Sequence, residues 1–143
     1  MNNQQQSTPA LNDQSAAKAS VATILLVDDE EMITRLHERQ FTRWGYRTIA
    51  CNSIPDALKV VDDGQQIDLV ITDYAMPRMT GTALAEYIHQ KRPALPIIIS
   101  TGNDLPLQNV DLSSLGIVGL IHKPTSSTVL REVVSRALSA TKP

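Results

Sequence analysis

From Val21 onward, short apolar runs alternate with segments whose apolar residues recur at helical spacing. Short runs rich in β-branched residues and bounded by polar residues predict strands. Five such runs occur in chain order: "TILLVD", "YRTIAC", "IDLVITD", "LPIIIST" and "VGLIHK". The segments between and after them predict helices; the clearest are "MITRLHERQFTRW", ended by Gly45, and "TALAEYIHQKR", ended by Pro93.

Regular alternation of strands and helices is typical of an α/β domain with a parallel sheet covered on both faces. We predict a flavodoxin-like (βα)5 doubly wound sheet with strand order 2-1-3-4-5 and right-handed crossovers. Each strand, including the fourth, is expected to be followed by a helix. In such sheets, ligands bind beyond the carboxyl ends of the strands, where the strand order reverses.

Residues 1–20 are rich in Gln, Asn, Ser and Ala and contain few large apolar side chains. Such a segment buries too little apolar surface to offset the entropy cost of ordering, so we predict a disordered N-terminal tail. The remainder, residues 21–143, is expected to form one domain. A chain of 143 residues with 42% hydrophobic residues is long enough for one buried core.

The composition excludes several classes of function. A formal charge of −2, with 13 basic residues scattered among 15 acidic ones, provides no basic stripe for nucleic acid. The single cysteine, Cys51, excludes an internal disulfide and fits a reducing compartment. The apolar run "VATILLV" is too short to span a bilayer, and no signal sequence precedes it. We therefore expect a cytoplasmic protein without nucleic-acid or membrane partners.

Polar residues are concentrated at the predicted carboxyl ends of four strands. Asp28 and Asp29 follow the first strand, Asp73 ends the third, Thr101 ends the fourth and Lys123 ends the fifth. Because the first and third strands are neighbours in the predicted order, their three carboxylates converge and repel each other unless a cation or protons intervene. Oxygen ligands at this density suit Mg²⁺. Lys123 adds a point charge to this site, and Thr101 adds a hydroxyl donor.

Less specific interpretations exist for some of these residues. Asp28 and Asp29 precede a predicted helix, where acids cap free N–H groups and favour the helix dipole. Both roles are compatible for Asp28. The three histidines lack ligand-like spacing, and we expect solvated or helix-face positions for His37, His89 and His122.

Four motifs lie in order at the ends of the first, third, fourth and fifth predicted strands: "LLVDDE", "LVITDYAMPRMTG", "IIISTG" and "LIHKP". Each motif alone is weak. Together, over about residues 22–140, they resemble the receiver domain of bacterial two-component response regulators.

The resemblance implies that Asp73 accepts a phosphoryl group from a histidine kinase or a histidine phosphotransfer protein. Thr101 would be the switch hydroxyl that moves to the new phosphate. Lys123 would pair with that phosphate and would be followed by Pro124 in a cis peptide bond. The chain would signal through protein contacts and would not be an enzyme beyond its own phosphorylation and dephosphorylation.

The resemblance also implies a Mg²⁺ site. Its ligands would be the carboxylates of Asp28, Asp29 and Asp73, together with the backbone carbonyl of Ala75.

The chain departs from the usual family pattern near the fifth strand. Leu120 occupies a position that is commonly aromatic, and Thr125 follows the Lys-Pro pair where Phe is common. We expect a downstream protein or a homodimer to use the predicted fourth helix, fifth strand and fifth helix. This surface, called the output surface below, includes Ile117, Val118 and Leu120, of which Val118 is expected to be buried.

Two rival functions fit the sequence less well. A Mg²⁺-dependent phosphohydrolase with an aspartyl-phosphate intermediate needs an acid two residues after the nucleophile, where this chain has Ala75. A degenerate receiver used as a scaffold would lack one of Asp73, Lys123 or the acid pair, and all are present. No effector domain is expected after the last predicted helix. A stand-alone regulator and a piece of a hybrid kinase both remain open.

Overall fold

A five-stranded parallel sheet organises the protein, and its strand order is β2-β1-β3-β4-β5, as the sequence predicts. The computed structural model describes residues 21–140, so the predicted N-terminal tail and residues 141–143 lie outside the described part. The strands are β1 (Thr23–Val27), β2 (Arg47–Cys51), β3 (Leu69–Asp73), β4 (Ile97–Thr101) and β5 (Ile117–His122).

Four α-helices lie within residues 21–140: α1 (Glu31–Arg43), α2 (Ile54–Asp62), α3 (Gly81–Lys91) and α4 (Ser127–Ala140). Side-chain caps define three helix starts; at α4 the hydroxyl oxygen of Ser126 accepts a hydrogen bond from the backbone N–H of Val129 (3.1 Å). The hydroxyl oxygen of Ser53 accepts a hydrogen bond from the backbone N–H of Asp56, and that of Thr80 accepts one from Ala83. No helix in the described part of the chain is both long and apolar enough to cross a membrane.

The prediction of a helix between β4 and β5 is wrong. This connection contains two short 3₁₀ helices, Leu105–Leu107 and Ser113–Leu115. Pro106 lacks a backbone donor, and the side chains of Asn103 and Ser114 bind nearby backbone groups instead of allowing a continuous helix. For example, Asn103 Oδ1 accepts a hydrogen bond from the backbone N–H of Leu105 (3.1 Å).

The core has two layers, one on each face of the sheet. Alternate residues of β1 enter opposite layers: Leu25 and Val27 pack on the side of α2 and α3, whereas Ile24 and Leu26 pack on the side of α1 and α4. This double burial explains why the central strands are apolar along most of their length.

Because β2 and β3 flank β1 on opposite sides, the strand order reverses at the β1–β3 pair. Val27, the last residue of β1, is aligned with Thr72 beside the end of β3. The side chains that follow these two strands therefore share one edge of the sheet.

The edge strand β5 is irregular at its start. Ile97 is aligned with Ile117, but Ile98 is aligned with Gly119, which leaves Val118 as the extra residue of a bulge. Val118 is 55% exposed, so the expectation that it is buried is wrong. The bulge turns this side chain outward because it interrupts the alternation of the strand.

Candidate functional site

Three acidic side chains meet at the carboxyl edge of the sheet. Asp28, Asp29 and Asp73 each offer one carboxylate oxygen, and these three oxygens lie within 4.8 Å of one another. Asp28 is buried, Asp73 is half-buried and Asp29 is exposed. Their proximity follows from the pairing of β1 with β3, which sets the ends of these strands side by side.

Lys123 supplies the positive charge of this acidic cluster. Its Nζ lies 3.0 Å from Oδ1 of Asp73 and 3.5 Å from Oδ2 of Asp28. The backbone N–H of Lys123 donates to the carbonyl of Thr101 (2.8 Å), which ties the end of β5 to the end of β4. The peptide bond between Lys123 and Pro124 is cis.

The two partners of the shorter ion pair respond differently to their surroundings. Burial raises the pKa of Asp73, and the charge of Asp28 adds to this effect, while the hydrogen bond and the charge of Lys123 act against it. Burial lowers the pKa of Lys123, but its bonds to Asp73 and Asp28 more than compensate, so that the pKa is raised. Two carboxylates stabilise the charged form of Lys123. The charged form of Asp73 is stabilised by one cation and destabilised by the nearby carboxylate of Asp28.

One ammonium group cannot neutralise three carboxylates. The remaining negative charge, the exclusively oxygen donor set and the spacing of the oxygens fit a hard divalent cation such as Mg²⁺.

Thr101 is 4% exposed, and its hydroxyl group is engaged within its own loop. The hydroxyl donates to the carbonyl of Asn103 (2.8 Å) and accepts from the N–H of the same residue (3.1 Å). Among residues 21–140, no hydrogen bond joins this hydroxyl to the acidic cluster. One step along the loop, Asp104 pairs with Nε2 of His122 (3.1 Å).

The loop between β3 and α3 is held close to Asp73 by backbone bonds. Tyr74 donates to the carbonyl of Ser100 (2.8 Å), and Gly81 donates to the carbonyl of Tyr74 (2.7 Å). A Cβ atom on Gly81 would lie 2.5 Å from the carbonyl oxygen of Asp73, which explains the glycine. Ala75, the predicted carbonyl ligand, is exposed in this loop.

Sequence reasoning missed Asn52, which directly follows β2. Its amide nitrogen donates to the backbone carbonyl of Asp28 (2.8 Å) and to the hydroxyl of Thr34 (3.0 Å). A signal was available, because a polar residue at the carboxyl end of β2 satisfies the same rule that singled out the other four strands.

The histidines do not belong to the acidic cluster, although His37 lies close enough to Asp28 and Lys123 for their charges to act on its pKa, in opposite directions. None of the three belongs to a group of metal-ligating side chains in the described part of the chain. His37 is partly buried on α1, and burial lowers its pKa. His89 packs against Gly116, and His122 pairs with Asp104 as described above.

Comparison with known proteins identifies a family. Residues 24–135 match the family model described as "Response regulator receiver domain". The chain is 30% identical over 122 residues to the transcriptional regulatory protein GlrR of Escherichia coli (strain K12), covering 85% of this chain and 27% of that protein. It is 31% identical over 123 residues to the sensor histidine kinase RcsC of Salmonella typhimurium, covering 86% and 13% respectively. It thus spans less than half of either relative.

Solved structures of receiver domains have the same fold as this chain. A response regulator receiver domain protein from Clostridium thermocellum superposes with a TM-score of 0.78 at 26% identity, covering 84% of this chain and 96% of that one. The signal receiver domain of an HD domain-containing protein from Pseudomonas fluorescens Pf-5 gives 0.79 at 28% identity, covering 85% and 98%. The chain therefore belongs to the family of response regulator receiver domains, the signalling modules of two-component phosphorelays.

Proposed function

We propose that this chain accepts a phosphoryl group on Asp73 from the phosphohistidine of a kinase or a phosphotransfer protein, and then signals through protein contacts. The observation that carries the proposal is the 3.0 Å contact between Lys123 and Asp73 inside the acidic cluster. This arrangement gives a carboxylate nucleophile and a cation for the incoming phosphoryl oxygens at one point of the sheet edge.

The proposed transfer needs positioning and charge neutralisation more than covalent assistance. A carboxylate oxygen of Asp73 attacks the phosphorus atom while the bond from phosphorus to the donor imidazole nitrogen breaks. The electron pair of that bond returns to the nitrogen. Lys123 then pairs with the phosphoryl oxygens in place of the Asp73 oxygen that it contacts now.

The proposed ligands of Mg²⁺ are the side chains of Asp28, Asp29 and Asp73 and the backbone carbonyl of Ala75. When bound, Mg²⁺ neutralises charge on the transferring group. The residues of the chain provide the remaining contributions: Asp28 and Asp29 would hold the cation, and Lys123 balances the charge of Asp73 when no phosphate is attached.

Turnover is proposed to be limited to loss of the phosphate from Asp73. A phosphohydrolase of the aspartyl-phosphate type needs a general acid two residues after the nucleophile, and the methyl group of Ala75 cannot serve as one. Ala75 also cannot orient an attacking water, and the neutral Asn103 can only hydrogen-bond to it. We therefore propose a phosphoacceptor with a phosphate lifetime of minutes or more.

We also propose the bounds of the domain, its cellular location and the surface that its partners bind. The domain is taken to extend over residues 21–143 and to act in the cytoplasm. A downstream protein or a second copy of the chain would read the output surface, now formed by the two 3₁₀ helices, β5 and α4.

Labelling with acetyl phosphate tests the phosphoacceptor. Intact-mass measurement should show one added phosphoryl group in the wild type with Mg²⁺, and none with a chelator. Asp73→Asn should abolish labelling, because the amide is not a nucleophile for this transfer. Equal labelling of wild type and Asp73→Asn would refute the assignment.

A further inference from the structure

Asn52 connects three elements beside the acidic cluster. Its amide donates to the carbonyl oxygen of Asp28 at the end of β1 and to the hydroxyl of Thr34 in α1. Thr34 is 2% exposed and donates its own proton to the carbonyl of Glu31 (2.9 Å). Its hydroxyl oxygen is therefore an acceptor for Asn52, as is the carbonyl of Asp28, so both amide hydrogens of Asn52 are used.

The bond to Asp28 restrains the residue that follows it. The carbonyl of Asp28 belongs to the same planar peptide unit as the N–H of Asp29. Fixing that oxygen therefore fixes the plane from which Asp29 projects. Asp28 is held from two further sides, since its N–H donates to the carbonyl of Cys51 (3.1 Å) and its Oδ1 accepts from the N–H of Glu30 (2.9 Å).

Asp29 itself lacks such support. It is exposed, and its side chain forms no hydrogen bond or ion pair with any residue between 21 and 140. Repulsion from Asp28 and Asp73 acts to separate this carboxylate from theirs. The bond from Asn52 holds the peptide plane from which Asp29 projects, and one carboxylate oxygen of Asp29 lies within 4.8 Å of those of Asp28 and Asp73.

We propose that Asn52 is a positioning residue that sets the Mg²⁺ affinity of the acidic cluster by holding the Asp28–Asp29 peptide plane. The inference rests on the proposed function, because it takes the cluster as the Mg²⁺ site. Residues that orient metal ligands typically change the affinity by about 10- to 100-fold when removed. Asn52 carries no charge, so its effect comes from pre-organisation and not from direct attraction of the cation.

Asn52→Ala removes both bonds and should weaken Mg²⁺ binding about tenfold or more. Thr34→Val removes only the bond between Asn52 and α1 and should change the affinity much less. The matched control is Ser53→Ala, one residue further on. It deletes the cap of α2 (Ser53 Oγ to Asp56 N, 3.3 Å) and should lower the unfolding temperature without touching the Asp28 carbonyl.

Calorimetric titration of Mg²⁺ into the full chain, with thermal unfolding in a chelator measured in parallel, separates the roles. The proposal expects weaker binding for Asn52→Ala and wild-type binding for Ser53→Ala, although both variants are less stable. If Asn52→Ala folds poorly, Asn52→Leu keeps the shape without donors and should show the same loss of affinity.

Unchanged affinity in both Asn52 variants would overturn the positioning role alone. Equal weakening in Ser53→Ala would also overturn it, because the effect would then be general loosening of the loop. A wild type that does not bind Mg²⁺ would overturn the metal site in the proposed function, and the positioning role with it.

Discussion

Lys123 shares its ammonium group between Asp73 (3.0 Å from Oδ1) and Asp28 (3.5 Å from Oδ2), which lie at the ends of two adjacent strands. This shared contact makes Lys123 the counter-ion of the acidic cluster within the described residues. A divalent cation would neutralise the same carboxylates. Lys123 and Mg²⁺ would therefore repel each other, and each would weaken the binding of the other to the cluster.

Lys123→Met should therefore separate stability from metal binding. Without Mg²⁺ we expect a loss of about 1–2 kcal/mol, reduced by partial solvent exposure, because two carboxylates lose their partner. Mg²⁺ should bind severalfold more tightly, since one competing positive charge is gone. Urea unfolding with chelator and with Mg²⁺ measures both effects.

The control for Lys123→Met is Lys91→Met, which removes an exposed ammonium 3.8 Å from Asp62 on the helical surface. It should change neither stability nor the gain from Mg²⁺ appreciably. An equal Mg²⁺ gain in wild type and Lys123→Met would contradict the shared counter-ion.

Gly81→Ala should disturb the loop that carries Asp73. The added Cβ would approach the backbone carbonyl of Asp73 to 2.5 Å, and a backbone atom cannot move away as a side-chain tip can. We expect a loss of stability of about 1–3 kcal/mol and slower labelling by acetyl phosphate. Gly102→Ala is the matched control, because its Cβ would meet nothing within 4 Å. Equal losses in the two variants would argue against the close approach.

The sheet edge was predictable because strand ends are visible in the sequence. Apolar runs end at Asp28, Asp73, Thr101 and Lys123, and the parallel topology places those ends along one edge. The pairing of β1 with β3 is enough to predict that the three carboxylates lie close together.

Other features depend on contacts that no local pattern encodes. The place of Asn52 at the carboxyl end of β2 was visible in the sequence, but its partner was not, because the bond to Asp28 joins residues 24 positions apart. The missing helix between β4 and β5 is different, because Pro106 and the surrounding Asn, Asp and Ser residues were a local signal against it. The expectation of a helix after every strand outweighed that signal.

Cys51 should make stability fall in alkaline solution. Burial raises the pKa of its thiol from 9.0 to about 11, and the charge of Asp56 acts in the same direction. The folded state therefore favours the neutral thiol. This contribution is fully present below pH 9.0 and is lost as the pH rises to about 11.

The total loss for Cys51 is about 2–3 kcal/mol. Urea unfolding of wild type and Cys51→Ala between pH 8 and pH 11 isolates this contribution, because other titrating groups are common to both proteins. The stability difference between them should shrink or reverse with rising pH. If the stabilities of the two proteins fall in parallel as the pH rises, Cys51 does not cause the alkaline loss of stability.

A phosphate mimic on Asp73 should first change the conformation of the loop after β4, and this change should then spread to the output surface. The Thr101 hydroxyl is now bound twice to Asn103, and reaching a group on Asp73 requires both bonds to break. Released from Thr101, the loop can shift against Asp104 and its partner His122 on β5. Leu120, partly buried on the same strand, is the next side chain able to repack.

Amide shifts with beryllofluoride and Mg²⁺ should therefore concentrate between about residues 101 and 130. The largest are expected at Asn103 and Asp104, with smaller ones at Leu120 and His122. Thr101→Val, which keeps the shape of the side chain but removes the hydroxyl, should bind the mimic and confine the shifts to the loop around Asp73. If the wild type shows only that confined pattern, the output surface is not coupled to Asp73 through Thr101, and a partner must read another part of the molecule.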